Sequence, residues 1–169
     1  MKNIYLFLTI TYLVMVYSPL AKADEPSLLF SQKSLTPAAA LKVAQATLEA
    51  CRKAGYQATV AVVDRGGNMQ VMLRDRFAGP HTPEVARKKA YTALSFRTNT
   101  VQMAENTKAG KDASGVRHVE GTLMLGGGVM IRAGGELVGA IGVSGAPGGQ
   151  ADEDCALKGI ATIQADLDF

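Results

Sequence analysis

"LMLGGGVMIRAGGELVGAIGVSGAPGGQADEDCA", Leu123 to Ala156, holds more than half of the chain's 18 glycines. Glycine at that density brings a backbone close to a phosphate, to another piece of protein, or to a flat ligand. The stretch contains neither G-x-x-x-x-G-K-S/T nor a clean G-x-G-x-x-G between a strand and a helix, so it lacks the usual signature of nucleotide binding. Val129–Ala133 and Glu136–Val143 instead flank Gly134-Gly135, which predicts a hairpin with a two-residue turn. Alternation along the second strand sets Leu137, Gly139, Ile141 and Val143 on one face, and Val138, Ala140, Gly142 and Ser144 on the other. That second face is small enough for a helix, a second subunit or a flat ligand to approach it closely.

Outward from this hairpin, the pattern repeats. Thr36-Pro37 predicts a helix start, Leu41, Ala44, Leu48 and Cys51 recur at helical spacing, and Gly55 is a stop. Tyr56–Asp64 and Met69–Arg74 read as strands around an Arg-Gly-Gly-Asn turn. Thr82-Pro83-Glu84 repeats the Thr-Pro helix start, with Val85, Ala86, Ala90, Tyr91, Ala93, Leu94 and Phe96 on a broad apolar side. A short helix is expected over Asn99–Asn106, a loop over Lys108–Val119, and a last helix over Asp152–Asp168 with Ala156, Ile160, Ile163 and Leu167 on one face. Helix, hairpin, helices, hairpin, helix gives an α+β fold with an antiparallel sheet.

The N-terminus reads differently. Lys2 precedes an apolar run from Ile4 to Leu20, and Ala21-Lys22-Ala23 follows, the pattern of a cleavable signal peptide over residues 1–23. Cleavage after Ala23 implies a periplasmic or secreted protein with no stable membrane insertion. Residues 24–34 then form an extension before a single domain over 35–169. Removing Lys2 and Lys22 lowers the formal charge from +3 to +1, too little cationic excess for a nucleic-acid partner. Cys51 and Cys155, the only cysteines, are too far apart in sequence for a paired metal knuckle; a disulfide and two buried thiols both stay open.

Four motifs in order and spacing carry a resemblance: "VVDRGGN" (Val62–Asn68), "ARKKAYTA" (Ala86–Ala93), "GAIGVSG" (Gly139–Gly145) and "DEDCALKG" (Asp152–Gly159). Together they resemble the GlcG/HbpS family, the haem-binding, sometimes called haem-degrading, domain also found at the C-terminus of PduO-type adenosyltransferases. The resemblance spans roughly Leu35 to Asp166. It implies a profilin-like three-layer sandwich, a central antiparallel sheet with the terminal helices on one face and the middle helices on the other. It also implies homo-oligomers and haem as the cofactor. Many members carry histidine where this chain has Asn68, so any role of that histidine is missing here; Asp64 and Asn68 read as turn formers.

A haem site needs an iron ligand, an apolar slot and cations for the propionates. The ligand candidates are the two histidines, His81 and His118. His81 precedes the Thr82 helix start, where the positive helix end favours the neutral imidazole that binds metal. Phe77, Met69 and Met72 could wall a slot, with Arg74, Arg76 and Arg87 as cations. Lys89 is expected at the sheet face, paired with an acid such as Asp152 or meeting an anion at the loop "VSGAPGGQ". Gly142, Ser144 and Gly145 would line the ligand. Three functions follow: an exported haem binder in iron handling or sensing, a module for a small organic acid or other anion, and a haem-degrading enzyme. Ser144 lies outside a G-x-S-x-G elbow, so a serine hydrolase is not supported.

Overall fold

The computed structural model describes residues 27–168, so the signal peptide and its cleavage site lie outside the described residues. Residues from Gln32 onward form one unit. Its first helix, α1 (Pro37–Lys53), starts as the Thr-Pro pair dictates: the Thr36 Oγ1 accepts from the Ala39 N–H at 3.2 Å, with proline in the first turn. Gly55, at φ 84°, ends the segment in a left-handed conformation. The buried stripe is Ala40, Val43, Ala44, Thr47, Leu48 and Cys51. Leu41, expected on that face, is exposed, because the stripe runs through Ala40, Val43 and Ala44 and leaves Leu41 one step round the helix from it.

β1 (Thr59–Asp64) and β2 (Met69–Arg74) form the first hairpin, β3 (Gly128–Ala133) and β4 (Glu136–Ser144) the second. All pairings are antiparallel and the strand order is β2-β1-β4-β3. β1 and β4, at the centre, are buried nearly throughout. Gly134 and Gly135 have φ 54° and 84°, as the tight turn requires. At the first turn Asp64 Oδ1 accepts from the N–H groups of Gly66 (2.8 Å) and Asn68 (2.9 Å), so both residues are the expected turn formers.

α1 and α4 (Gly149–Ala161) cover one face of the sheet, enclosing Val60, Val62, Ile131, Ile141 and Val143. α2 (Thr82–Phe96) covers the other, where Ala90, Ala93 and Leu94 meet Val63, Leu137 and Ala140. The three-layer α+β arrangement is the one expected. The strict alternation along β4 is not. The register shifts between Ile131 and Arg132, and this irregularity puts Leu137 with the α2 layer and Val138 with the α1/α4 layer.

The question of the glycines is settled on the α2 face. A Cβ on Gly142 would lie 2.0 Å from the Ala86 carbonyl oxygen, and one on Gly128 2.3 Å from that of Lys89. The helix backbone itself occupies the small face, and no flat ligand fits between. The partner is protein.

Two further elements depart from expectation, and the expected short helix after α2 is present with a cap the sequence did not announce. Asp112–His118 is a 3₁₀ helix rather than loop. The last helix breaks at Thr162, with α5 (Gln164–Leu167) a separate turn. α3 (Thr100–Asn106) is capped from outside its own sequence: the buried Glu153 carboxylate accepts from the Val101 N–H at 3.2 Å and from Asn99 Nδ2 at 3.3 Å. No helix among the described residues is long and apolar enough to cross a membrane.

Candidate functional site

β4 ends at Ser144, and the chain leaves the sheet through Gly145. Its φ of 144° and its packing against the Gln57 carbonyl oxygen, 2.4 Å from where a Cβ would stand, admit no side chain. Beside this exit opens a cleft of about 600 Å³, within the size range of small-ligand sites. Its walls come from several segments, with Leu125 reaching it from the connection before β3. Gly55 to Gln57 arrive from the α1–β1 connection, and Phe77, Gly79 and His81 from the loop before α2. Thr82, Val85 and Lys89 belong to α2 itself, and Gly145 to Gly149 lead into α4.

The floor is an ion pair. Lys89 Nζ donates to Asp152 Oδ2 at 2.7 Å and to the Val143 carbonyl oxygen at 2.9 Å, and both side chains are buried. Asp152 Oδ1 accepts from the Ala146 N–H at 2.9 Å, so the same carboxylate shapes the glycine loop. Burial pushes the lysine below its ordinary pKa and the aspartic acid above its own, while each partner pulls the other back. The expected pairing of Lys89 with Asp152 is present.

Thr82 is not the N-cap of α2. His81 holds that position with no side-chain cap, while the Thr82 hydroxyl is buried, bonded to the Gly79 carbonyl and to Thr59 Oγ1, each at 2.7 Å. The His81 ring lies over Gly79, 2.6 Å from where a Cβ would stand. Its nitrogens make no hydrogen bond among the described residues, so the imidazole is available as a ligand. Phe77 is 78% exposed at the cleft, with the Arg76 guanidinium 5.7 Å from its ring centre.

The remaining candidates lie elsewhere. His118 is exposed on the 3₁₀ helix and does not line the cleft. Arg87 is engaged with Glu84 on the outer side of α2, at 2.8 and 2.9 Å. Arg74 donates to the Ala78 carbonyl, ordering the loop before the cleft rather than lining it. Gly142 lies beneath α2. Met69 and Met72 are partly exposed on the edge strand β2, and Asn68 is at the far end of β1 from Gln57. Tyr56, Gln57, Val85 and Leu125 were not expected; they meet only through the tertiary fold, and no local pattern announces them.

Comparison with known proteins identifies the family and the fold. Residues 35–161 match the HbpS-like family, described as haem degrading protein HbpS-like. The chain belongs to the HbpS-like family. HbpS itself is similar in structure, with 41% identity, a TM-score of 0.77, and coverage of 83% of this chain and 98% of that one. The PduOC:heme complex is similar at 29% identity and a TM-score of 0.72, covering 77% and 95%. Among curated relatives, a 15.0 kDa protein of Citrobacter freundii is 32% identical over 114 residues, 66% of this chain and 80% of that protein. The corrinoid adenosyltransferase PduO of Salmonella typhimurium is 31% identical over 124 residues. That match covers 72% of this HbpS-like chain but 37% of the adenosyltransferase, so the likeness concerns one part of the larger protein.

Proposed function

We propose that this protein binds haem in the cleft at the end of β4, with His81 as the iron ligand. The observation that carries the reading is His81 itself: an imidazole without a hydrogen-bond partner among the described residues, set at the rim of a cleft of about 600 Å³ beside an exposed Phe77. An apolar ring wall and a free nitrogen donor are what a flat iron macrocycle requires. The HbpS-like family and the likeness to the PduOC:heme complex support the same ligand. A bound haem would supply an iron centre, and His81 would hold it beside Phe77.

Export belongs to the same proposal, with cleavage after Ala23 and a mature chain beginning at Asp24, as does assembly into a homo-oligomer. Handling or sensing of haem iron outside the cytoplasm is the corresponding role.

Haemin titration followed by the visible spectrum tests the reading. A saturable Soret band is expected, displaced and weakened in His81→Ala and unchanged in His118→Ala. The opposite pattern would move the ligand to His118, and no band at all would reject haem binding. Loss of the band with reductant, accompanied by iron release, would identify degradation rather than carriage.

A further inference from the structure

We propose that the cleft contains a dedicated carboxylate subsite, built from the Ser144 hydroxyl and the backbone N–H groups of Gly148 and Gly149 at the start of α4. It rests on the ligand-binding reading of the cleft and names the chemistry that one corner of it takes.

α4 has 13 residues and begins at a glycine N-cap, Gly148, with no side-chain cap. α1 differs: there the Thr36 hydroxyl caps the first turn. Among the described residues nothing accepts from the N–H groups of Gly148 or Gly149, although both residues line the cleft. Orphan N–H groups at a helix N-terminus, with the positive end of the helix dipole behind them, favour an anion.

A second observation points the same way. Ser144 is 5% exposed, lines the same cleft, and has no hydrogen-bond partner for its hydroxyl among the described residues. The residue is almost wholly enclosed, yet its hydroxyl opens onto the cleft instead of being sealed in the core, so a ligand or water entering there completes it. Asp152, the nearest acid, does not compete for these donors. Its two oxygens are taken by Lys89 and by the Ala146 N–H, and Lys89 neutralises its charge.

The α2 N-terminus opens on the same cleft through Thr82, and His81 makes no capping bond there. Two positive helix ends therefore face one cavity. The donor set suits a carboxylate, whose two oxygens accept from a hydroxyl and from backbone N–H groups. A phosphate would require more: no arginine lines the cleft, and no phosphate-binding loop is present. The carboxylate could be a propionate of haem or a free organic acid.

Gly148→Asp is the decisive variant. Gly148 has φ −166° and ψ 164°, an extended conformation that any residue adopts at an N-cap, and a Cβ there meets nothing within 4 Å. The new carboxylate caps α4 internally through the Gln150 or Ala151 N–H and sets a negative charge beside the Gly148 and Gly149 N–H groups, which repels an anionic ligand from them. The measurements are melting temperature and the affinities of wild type and variant for haemin, haemin dimethyl ester and succinate.

Wild type is expected to bind haemin about tenfold more tightly than the ester, as for loss of a charge-assisted hydrogen-bond pair. In Gly148→Asp haemin should fall to the ester's affinity, the ester should be unaffected, and the melting temperature should be equal or higher. Equal binding of haemin and ester by wild type, or undiminished haemin binding by the variant, would overturn the subsite while leaving haem binding intact. If neither porphyrin binds, the haem reading fails separately, and amide shifts on titration with succinate decide. Saturable shifts at Ser144–Gly149 that vanish in Gly148→Asp uphold a site for a free acid; no shifts there overturn it.

Discussion

Lys89 on α2 and Asp152 on α4 meet through the end of the sheet, Nζ to Oδ2 at 2.7 Å, each with 5% or less of its side chain exposed. No other ion pair among the described residues joins α2 to a terminal helix. Because the cleft lies directly over the pair, one interaction fixes both the packing of two layers and the shape of the site.

Lys89→Met keeps the length of the side chain and removes its charge, which leaves a buried carboxylate and the Val143 carbonyl without their donor. A loss of about 3 kcal/mol in unfolding free energy is expected. The deficit should shrink on acidification. Burial raises the Asp152 pKa above its ordinary 3.8, so below the folded value the native state takes up a proton that the unfolded state does not yet hold. Denaturant melts of variant and wild type at pH 4 and pH 7 check this, and a deficit independent of pH would contradict it.

Gly142→Ala tests the contact between helix and sheet. Its Cβ would stand 2.0 Å from the Ala86 carbonyl oxygen and 2.6 Å from the Ala90 nitrogen, backbone atoms that move only if α2 lifts from the sheet. Overpacking of this kind costs about 1–3 kcal/mol. Gly115→Ala, where the same atom meets nothing within 4 Å, should stay within about 0.5 kcal/mol of wild type.

What the sequence announced was what short stretches decide. Thr36-Pro37, Gly55 and Gly134-Gly135 each dictate backbone geometry through their own chemistry, and the elements they bound lie where expected. Thr82 failed as an N-cap because its hydroxyl is claimed by Thr59 on a different strand, a contact no local pattern contains. Leu41 and Val138 failed for a related reason: helical or strand periodicity gives a face only up to one residue or one bulge. The site was legible in part. His81, Phe77, Lys89, Ser144 and Gly145 reach the cleft, while His118, Arg87 and Gly142 do not. Membership of the cleft depends on which loops converge at the end of β4, and that is settled by the packing of distant segments.

Glu84, in the first turn of α2, offers a pH test. Arg87 beside it, bonded through Nε and Nη2, with Lys88 at 3.5 Å, holds its carboxyl down to about 2 against an ordinary 4.5. A depressed carboxylate stabilises the fold fully above pH 4.5 and loses that contribution as pH falls from there through 2. The residue is largely exposed, so solvent screening keeps the share of stability small. Side-chain carboxyl resonances should show Glu84 titrating near 2. In Arg87→Gln the midpoint should move up towards the ordinary value; a midpoint unaffected by that change would remove the ion pair as the cause.

The two cysteines turn out to be neighbours, as the antiparallel packing of α1 and α4 requires. One turn away from them the helices are in tight contact: a Cβ on Gly159 would lie 1.8 Å from Thr47 Oγ1 and 2.7 Å from the Thr47 Cα. Gly159 and Cys155 are four residues apart on α4, as are Thr47 and Cys51 on α1, so the close contact delivers the two side chains to each other. Both are buried and free in the structure. A hydrogen bond to Cys155, together with burial, pushes the Cys51 thiol far above its ordinary pKa, whereas that bond lowers Cys155. Since the thiolate is the reacting form, Cys51 should be inert in the folded protein, and burial shields Cys155 as well. Thiol titration should therefore count two thiols per chain after unfolding without reductant, reacting far more slowly while the chain is folded. A count of zero in the unfolded, non-reduced chain would mean that the pair closes as a disulfide, a bridge across about a hundred residues that stabilises by roughly 2–4 kcal/mol.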